Sequence, residues 1–132
     1  MHVKFHQEFI VKEDHLDDLN HVNNIQYIKW IQEISSNHWK KLTYNNIYPF
    51  GYWVVRSHHI EYKKQAKIND IVTAETYIIS AIGYTSTRHV NFYINNSNKI
   101  CVKAKTDWCY LSKKDFSLIK IPNEVSKLFN KL

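Results

Sequence analysis

Polar and apolar residues alternate with period two along much of this chain, a pattern that indicates half-buried β-strands. The first stretch spans residues 3–11, and Val3, Phe5, Gln7 and Phe9 share one of its faces. Four later stretches are rich in Val, Ile, Thr, Tyr and Trp, residues that favour strands. They lie at residues 53–64, 70–82, 86–96 and 99–112. The pattern therefore predicts five strands.

Turn-forming residues separate the last four strands. They are Asn69 and Asp70, then Gly83, and then the run Asn-Asn-Ser-Asn at residues 95–98. Connections this short favour antiparallel hairpins between consecutive strands. We therefore expect the second to fifth strands to follow one another as hairpins in an antiparallel sheet.

One long helix is predicted over residues 23–42. The positions that recur at three- and four-residue spacing are Ile28, Ile31, Ser35, His38 and Leu42. Further apolar residues on other sides of the helix are Ile25, Tyr27, Trp30 and Ile34. A helix that is apolar on most sides needs to be enclosed. The sequence therefore predicts a sheet that wraps around this helix.

The order of elements is strand, long helix, four antiparallel strands and a short helix, EVSKLFNKL, that begins after Pro122. This order predicts the α+β class. A length of 132 residues fits one domain, 1–132, and a hydrophobic fraction of 44 % supports a sizeable core. The first residues do not form a signal peptide, and no apolar run is long enough to span a membrane. We expect a cytoplasmic protein with no membrane partner.

The net charge of +6 comes mostly from lysines that are scattered along the chain. Scattered lysine usually forms a solvated surface, although a polyanionic small molecule would also suit it. No nucleic-acid motif accompanies the charge, so we expect no nucleic-acid partner. The histidines lack the spacing of metal ligands, and neither a metal nor another cofactor is expected. Cys101 and Cys109 are predicted to be free buried thiols, with a catalytic cysteine as the minor alternative.

The segment from Asp17 to Asn24 carries the candidate chemistry, because it leads directly into the long helix. The first N–H groups of a helix have no intrahelical partner and can hold a developing oxyanion. A carboxylate just upstream can attack the same carbonyl or activate water against it. Helix capping, worth about 1 kcal/mol, is the alternative explanation for Asp and Asn here. Capping does not require His21 as well.

The stretch DDLNHVNNIQYIKWIQEI resembles the signature of hotdog-fold thioesterases. This group includes 4-hydroxybenzoyl-CoA thioesterase-like enzymes and plant-type acyl-ACP thioesterases. The matching positions are Asp17, His21, Val22, Asn23, Asn24, Tyr27 and Trp30. Downstream, HHIEYKKQAKINDIVTAET resembles the second strand, the turn and the third strand of the family. The resemblance implies a single hotdog domain, with an antiparallel five-stranded sheet wrapped round a long central helix.

Two departures from the family pattern affect the expected mechanism. Many members have Gly directly before the His, where this chain has Asn20; Asn tolerates a left-handed backbone better than most residues. The plant-type enzymes carry further acidic and cysteine residues where this chain has Gln65 and Ala66. We therefore expect a simpler mechanism that uses one carboxylate.

The resemblance implies hydrolysis of acyl thioesters, and acyl-CoA is the expected substrate. Asp17 would be the nucleophile or the general base, and the amide of Asn24 would contact the thioester oxygen. His21 and Asn23 would order the loop, the water or Asp17 itself. A thiol has a pKa of about 8.5, so a thiolate leaves without a strong general acid.

Softer candidates for substrate binding are Tyr27, His58, His59, Lys63, Lys64 and Arg88. Neighbouring residues in a strand face opposite ways, so only one of His58 and His59 can line the site. A structural role is at least as good an interpretation for each of these histidines. The cations suit the phosphates of coenzyme A, and a basic face would equally suit an acidic acyl carrier protein.

A sheet around one helix leaves an open edge, which is a liability in a monomer. The resemblance implies a homodimer or homotetramer with active sites between subunits. Two alternatives to acyl-CoA hydrolysis stay open. They are an acyl-ACP thioesterase and a hotdog protein that binds acyl-CoA without turnover.

Overall fold

The computed structural model describes residues 3–130. Its strands are β1 (Phe5–Ile10), β2 (Tyr52–Tyr62), β3 (Ile71–Ile82), β4 (Thr85–Ile94) and β5 (Ile100–Leu111). Its helices are α1 (Asn24–Leu42) and α2 (Asn123–Leu128), and a short 3₁₀ helix (Glu13–His15) lies between β1 and α1. The predicted α+β class, the five strands and the long helix are confirmed, with small shifts at the boundaries.

The five strands form one antiparallel sheet in the order β1-β3-β4-β5-β2. The β3–β4 and β4–β5 hairpins are confirmed. The expected β2–β3 hairpin is wrong, because β2 pairs with β5 at the far edge of the sheet. Both β1 and β2 are therefore edge strands of the single chain.

The connection from β2 to β3, residues 63–70, explains this difference. It contains one turn, in which the Asp70 N–H donates to the Lys67 carbonyl at 3.1 Å, but its other backbone bonds go to separate parts of the chain. The Lys63 N–H donates to the carbonyl of Cys101 at 2.8 Å, and the Ala66 carbonyl accepts from the Val22 N–H at 2.9 Å. Because these partners lie in β5 and in the loop before α1, the connection crosses the molecule and leaves β2 at the edge.

Helix α1 packs against the inner face of the sheet. Its buried residues are Tyr27, Trp30, Ile31, Ile34, Ser35, His38 and Leu42. Strand β3 alternates as expected, with Val72, Ala74, Thr76 and Ile78 buried on the inner side. The opposite side of α1 is exposed in the single chain, including Ile25, Lys29, Gln32 and Ser36. The sheet therefore covers one side of α1, and the enclosure expected from its apolar pattern is incomplete in one copy.

The end of the chain adds a second hydrophobic cluster beside α2. This cluster contains Leu42, Ile78, Tyr110, Ile121, Val125, Leu128 and Phe129. Pro122 is the N-cap of α2, and the helix ends at Leu128, earlier than the sequence suggested; residues 131–132 of the predicted helix lie outside the described residues. None of the helices within residues 3–130 is long and apolar enough to cross a membrane.

The packing of α1 predicts a sharp contrast between two isoleucine substitutions. Ile34 is fully buried, whereas Ile82 at the end of β3 is 78 % exposed. We expect Ile34→Ala to lower the free energy of unfolding by about 2–5 kcal/mol, because it leaves a cavity under the helix. Ile82→Ala, the same change at the surface, is expected to stay within about 0.5 kcal/mol of the native protein. Urea denaturation measures both, and equal effects would contradict the described packing.

Candidate active site

The loop before α1 is built around the side chain of Asp17. Its Oδ1 atom accepts hydrogen bonds from the N–H groups of Leu19 at 2.9 Å and His21 at 3.2 Å. The Asp17 N–H in turn donates to the His21 carbonyl at 2.8 Å. Within residues 3–130 the second carboxylate oxygen, Oδ2, has no hydrogen-bond partner. The loop therefore fixes the half-buried carboxylate by one oxygen and leaves the other available.

The backbone of Asn20 makes this turn possible. Its φ of 61° lies in the left-handed region, where most residues are strained and Asn is tolerated. The Asn20 N–H donates to the Asp17 carbonyl at 3.0 Å. The expectation that Asn20 can replace the usual Gly before the His is confirmed in its conformation.

The start of α1 is capped by Asn23. Its Oδ1 atom accepts from the Ile25 N–H at 3.0 Å, and its own carbonyl accepts from the Gln26 N–H at 2.8 Å. The N–H of Asn24, the first helical residue, has no acceptor within the part of the chain that the structure describes. The capping interpretation is therefore correct for Asn23. The same cap leaves Asn24 as the free donor at the positive end of the helix dipole.

His21 contributes to the loop mainly through its backbone. The imidazole is half-buried, and its Nδ1 atom is buried without a hydrogen-bond partner among the described residues. A buried ring nitrogen of this kind can serve a ligand or a water molecule that enters the loop. Its expected supporting role stays a prediction.

The connection after β2 brings exposed cations towards this loop. The bond between Ala66 and Val22 holds the connection against the loop, and Lys63 and Lys64 lie three and two residues before Ala66. The Nζ atom of Lys63 is 3.8 Å from Oε2 of Glu61, a half-exposed pair that contributes little to stability. Ala66 is fully buried, so the position where plant-type enzymes carry a polar residue is here a packing contact.

Tyr27 lies in the core under the first turn of α1. It is 2 % exposed and packs edge-on against the rings of Trp30 and Phe92. Burial raises the pKa of the Tyr27 hydroxyl, and the backbone of Ala66 nearby opposes part of this rise. The structure therefore places Tyr27 beneath the site, with its ring in the hydrophobic cluster.

The two histidines of β2 face opposite ways, as expected. His58 lies on the inner face, where its Nδ1 atom is 2.8 Å from Oγ1 of Thr106 and burial lowers its pKa. His59 lies on the outer face, and its Nε2 atom is 3.7 Å from Oε1 of Glu61. Only His58 has a position from which to reach a ligand between the sheet and α1.

Arg88 lies away from the loop, beneath the C-terminal half of α1. It is 5 % exposed, and its Nη1 atom donates to Nδ1 of His38 at 2.9 Å and to Oγ1 of Thr76 at 3.0 Å. His38 follows Asn24 by fourteen residues, about 21 Å at roughly 1.5 Å per residue of helix. This position revises the expectation for Arg88, because its guanidinium does not share a surface with the exposed lysines.

A cavity of about 370 Å³ opens between this half of α1 and the inner face of the sheet. Its walls include Trp39, Phe50, Trp53, Arg88, Trp108 and Phe129. The sequence reasoning missed this cavity, because its walls come from distant parts of the chain. One feature of the sequence indicated polar groups in the core: Ser86 and Arg88 stand at every second position of β4 in line with Val90 and Phe92, on the core-facing side.

The described residues give little support to a metal site or to a catalytic cysteine. Residues 3–130 contain no group of three or more His, Cys, Asp or Glu side chains that could hold a metal ion. Cys101 and Cys109 are free and buried, as predicted. Burial raises the pKa of the Cys101 thiol to about 11, so this residue stays protonated and is a poor nucleophile.

The left-handed turn at Asn20 predicts how the loop responds to substitution. We expect Asn20→Ala to lower the free energy of unfolding by about 1–2 kcal/mol, because Cβ disfavours this conformation in residues without a compensating side chain. Asn20→Gly is expected to match the native stability to within about 0.5 kcal/mol. Thermal unfolding of the three proteins tests this order, and a Gly variant less stable than the Ala variant would contradict it.

Solved structures with the same fold include thioesterases from several sources. A predicted thioesterase from Bacillus stearothermophilus has 16 % identity and a TM-score of 0.85, over 97 % of this chain and 95 % of that chain. A 1,4-dihydroxy-2-naphthoyl-CoA thioesterase from Synechocystis has 14 % identity and a TM-score of 0.84, over 98 % of both chains. At these identities the similarity shows the fold, and it confirms the predicted hotdog domain.

A third structure is a 4-hydroxybenzoyl-CoA thioesterase variant with one aspartate replaced by asparagine, complexed with 4-hydroxybenzoyl-CoA. It has 13 % identity and a TM-score of 0.83, over 96 % of this chain and 98 % of that chain. No curated protein matches this sequence closely enough to count as a relative. The family model of the acyl-ACP thioesterase N-terminal domain matches residues 2–129, nearly the whole length. This chain therefore belongs to the acyl-ACP thioesterase N-terminal domain family.

Proposed function

We propose that this protein hydrolyses acyl thioesters at the N-terminus of α1, with Asp17 as the reactive carboxylate. The observation that carries the proposal is that two groups lack a hydrogen-bond partner among residues 3–130, one in the loop that leads into α1 and one at the first residue of α1. They are the free N–H of Asn24 and the unbonded Oδ2 of Asp17. Membership of the thioesterase family supports the same reaction.

The geometry supports a different role for each of these two groups. The Asn24 N–H donates to the thioester carbonyl oxygen and stabilises the negative charge that develops on it. The carboxylate of Asp17 either attacks the carbonyl carbon or takes a proton from the attacking water. The C–S bond then breaks, and the sulfur leaves as a thiolate. If Asp17 acted as the base, it returns the proton to the thiolate; if Asp17 attacked directly, the thiolate takes a proton from water, and a second water hydrolyses the acyl–Asp17 anhydride and frees the carboxylate. The products are a free acid and a thiol.

The exposed cations beside the loop support a substrate with an anionic carrier. Lys63 and Lys64 are positioned to meet the phosphates of coenzyme A, since both lie near the segment that bonds to the loop. In the related 4-hydroxybenzoyl-CoA thioesterase, the aspartate-to-asparagine variant is complexed with 4-hydroxybenzoyl-CoA. An acyl carrier protein is the alternative donor, and the family supports it.

The assembly that we propose is a homodimer joined through β2. This edge strand spans Tyr52–Tyr62 and pairs on only one side. Two-fold antiparallel pairing of β2 with its copy would extend the sheet and place both α1 helices on the same face, running in opposite directions. The N-terminus of one α1 would then approach the C-terminal half of the other. Each site would use both subunits.

The assignment of Asp17 predicts a large loss of hydrolysis in Asp17→Asn. The amide keeps an oxygen that can accept from Leu19 and His21, so the loop survives while the negative charge is lost. We expect kcat for thiol release from acyl-CoA to fall by about 10²–10⁴-fold.

Asp18→Asn is the matched control, because Asp18 is exposed and adjacent and undergoes the same chemical change. It should retain kcat to within about twofold, since surface changes away from a site have small effects. An Asp17→Asn protein that folds normally and hydrolyses at the native rate would remove Asp17 from the mechanism.

The dimer proposal predicts a mass of two chains, or a multiple of it, in solution. Multi-angle light scattering on the native protein measures this mass directly. We also expect the unfolding temperature to rise with protein concentration, since association stabilises the folded state by mass action. A monomer at all concentrations, with a constant unfolding temperature, would contradict an active site shared between subunits.

A further inference from the structure

The cavity beneath the C-terminal half of α1 is mostly apolar, and its floor is the polar region formed by Ser86, Arg88 and Trp108. Aromatic side chains form a large part of its walls, including Trp39, Phe50 and Trp53. A volume of about 370 Å³ is sufficient for a small organic group. Neither the Asp17 carboxylate nor the start of α1 belongs to its lining, so the cavity adds a second part to the molecule's binding surface.

The floor holds a buried cation without a counter-ion. Arg88 is 5 % exposed, and no carboxylate within residues 3–130 forms an ion pair with it. Burial lowers its pKa to about 9, so it is still charged at neutral pH. Its Nη1 partners, His38 and Thr76, are neutral: burial lowers the pKa of His38 to about 3. A buried, unpaired charge is costly, and an anion in the cavity would compensate it.

Two further donors lie beside Arg88 on the sheet. Ser86 and Trp108 are directly opposite each other on β4 and β5, and Arg88 lies two residues along β4 on the same face. All three residues line the cavity. The Nε1 atom of Trp108 is buried with no partner among the described residues, and an indole N–H can only donate. The floor of the cavity therefore presents hydrogen-bond donors that a ligand with hydrogen-bond acceptors would satisfy.

The charges around the cavity have one sign. Its lining includes Arg88 and Lys113 and contains no Asp or Glu. The Nζ group of Lys113 donates to the carbonyl of Tyr48 at the exposed side of the cavity. An anionic group with an apolar stem fits this arrangement better than a neutral acyl chain does.

We propose that the cavity binds an acyl group whose far end carries a free carboxylate, held by Arg88, Trp108 and Ser86. The substrate class is thus the monothioester of a dicarboxylic acid. This inference rests on the proposed thioesterase function. The aromatic walls hold the carbon stem, and the thioester lies outside the cavity at a helix N-terminus. In the proposed dimer, that end belongs to the α1 helix of the other subunit.

Binding without hydrolysis tests the carboxylate site by itself. Monomethyl suberate carries one carboxylate, and its ester end represents the thioester; dimethyl suberate has the same stem without the charge. Titration followed by tryptophan fluorescence should show the monoester binding at least about tenfold more tightly. Equal affinity for the two probes would overturn the proposal.

Arg88→Met should abolish this preference, because methionine keeps a similar apolar length and removes the charge. Lys99→Met is the control, since Lys99 is an exposed cation in the turn between β4 and β5, away from β2 and outside the cavity lining, and it should keep the native preference. A preference that survives in a folded Arg88→Met protein would overturn the proposal.

Trp108→Phe provides a second test that keeps an aromatic ring and removes only the donor. It should weaken monomethyl suberate binding about threefold or more and leave dimethyl suberate binding unchanged. This variant decides the question if circular dichroism shows that Arg88→Met does not fold. An unchanged affinity for the monoester in Trp108→Phe would then count against the site.

Hydrolysis distinguishes the far carboxylate of a substrate from the carboxylate of a released product. The CoA monothioester of suberic acid should have a higher kcat/KM than octanoyl-CoA, and Arg88→Met should remove the difference. If both are hydrolysed equally while octanoate competes for Arg88, the site holds the product and the substrate assignment fails. If neither is hydrolysed but the monoester binds through Arg88, the carboxylate site stands and the proposed function fails.

Discussion

The packing of α1 on the inner face of the sheet is the constraint on which the rest of the structure depends. Its buried side chains fix where the helix begins and where it ends. At the beginning, the Asn23 cap satisfies the Ile25 N–H and leaves the Asn24 N–H exposed beside the Asp17 loop. At the other end, His38 holds Arg88 at the floor of a cavity. One helix thus sets the distance between the two polar features of the molecule.

These two features differ in their charged side chain, which is a carboxylate at the helix N-terminus and a guanidinium in the cavity. The helix N-terminus stabilises a developing oxyanion and has a carboxylate beside it, as hydrolysis of a carbonyl compound requires. The cavity floor presents a guanidinium and an indole N–H and lacks any acid. In the function that we propose, the first feature accounts for bond cleavage. In the substrate binding that we propose, the second distinguishes one acyl group from another, so reactivity and selectivity belong to different ends of α1.

Local patterns predicted the elements of the fold well. The period-two alternation of Phe5, Gln7 and Phe9 and the helical spacing of Ile31 and Ile34 depend on residues near in sequence, and both are observed. The β2–β3 hairpin was wrong because the bonds of the 63–70 connection go to distant segments, which local turn signals do not reveal. The position of Asp17 could be read from the chain, since its partners lie within four residues. The cavity could not, because its walls come from α1, from strands β2 to β5, from the loops after α1 and β5, and from the C-cap of α2.

For Arg88, a prediction of the side chain's environment from its charge alone was wrong. Its positive charge suggested a surface contact with phosphate, like that expected of Lys63. Arg88, Val90 and Phe92 stand at every second position of β4, which places all three on the same face of the sheet. The structure shows that this face is buried. For Arg88, its position in the period-two pattern of the strand thus predicted burial better than the polarity of its side chain did.

The most direct measurement is the rate of thiol release by the native protein from a panel of acyl-CoA and acyl carrier protein thioesters. The account predicts release well above the uncatalysed rate for at least one donor. Tight binding of these thioesters, with no release above background from any of them, would contradict the account and leave a binding protein.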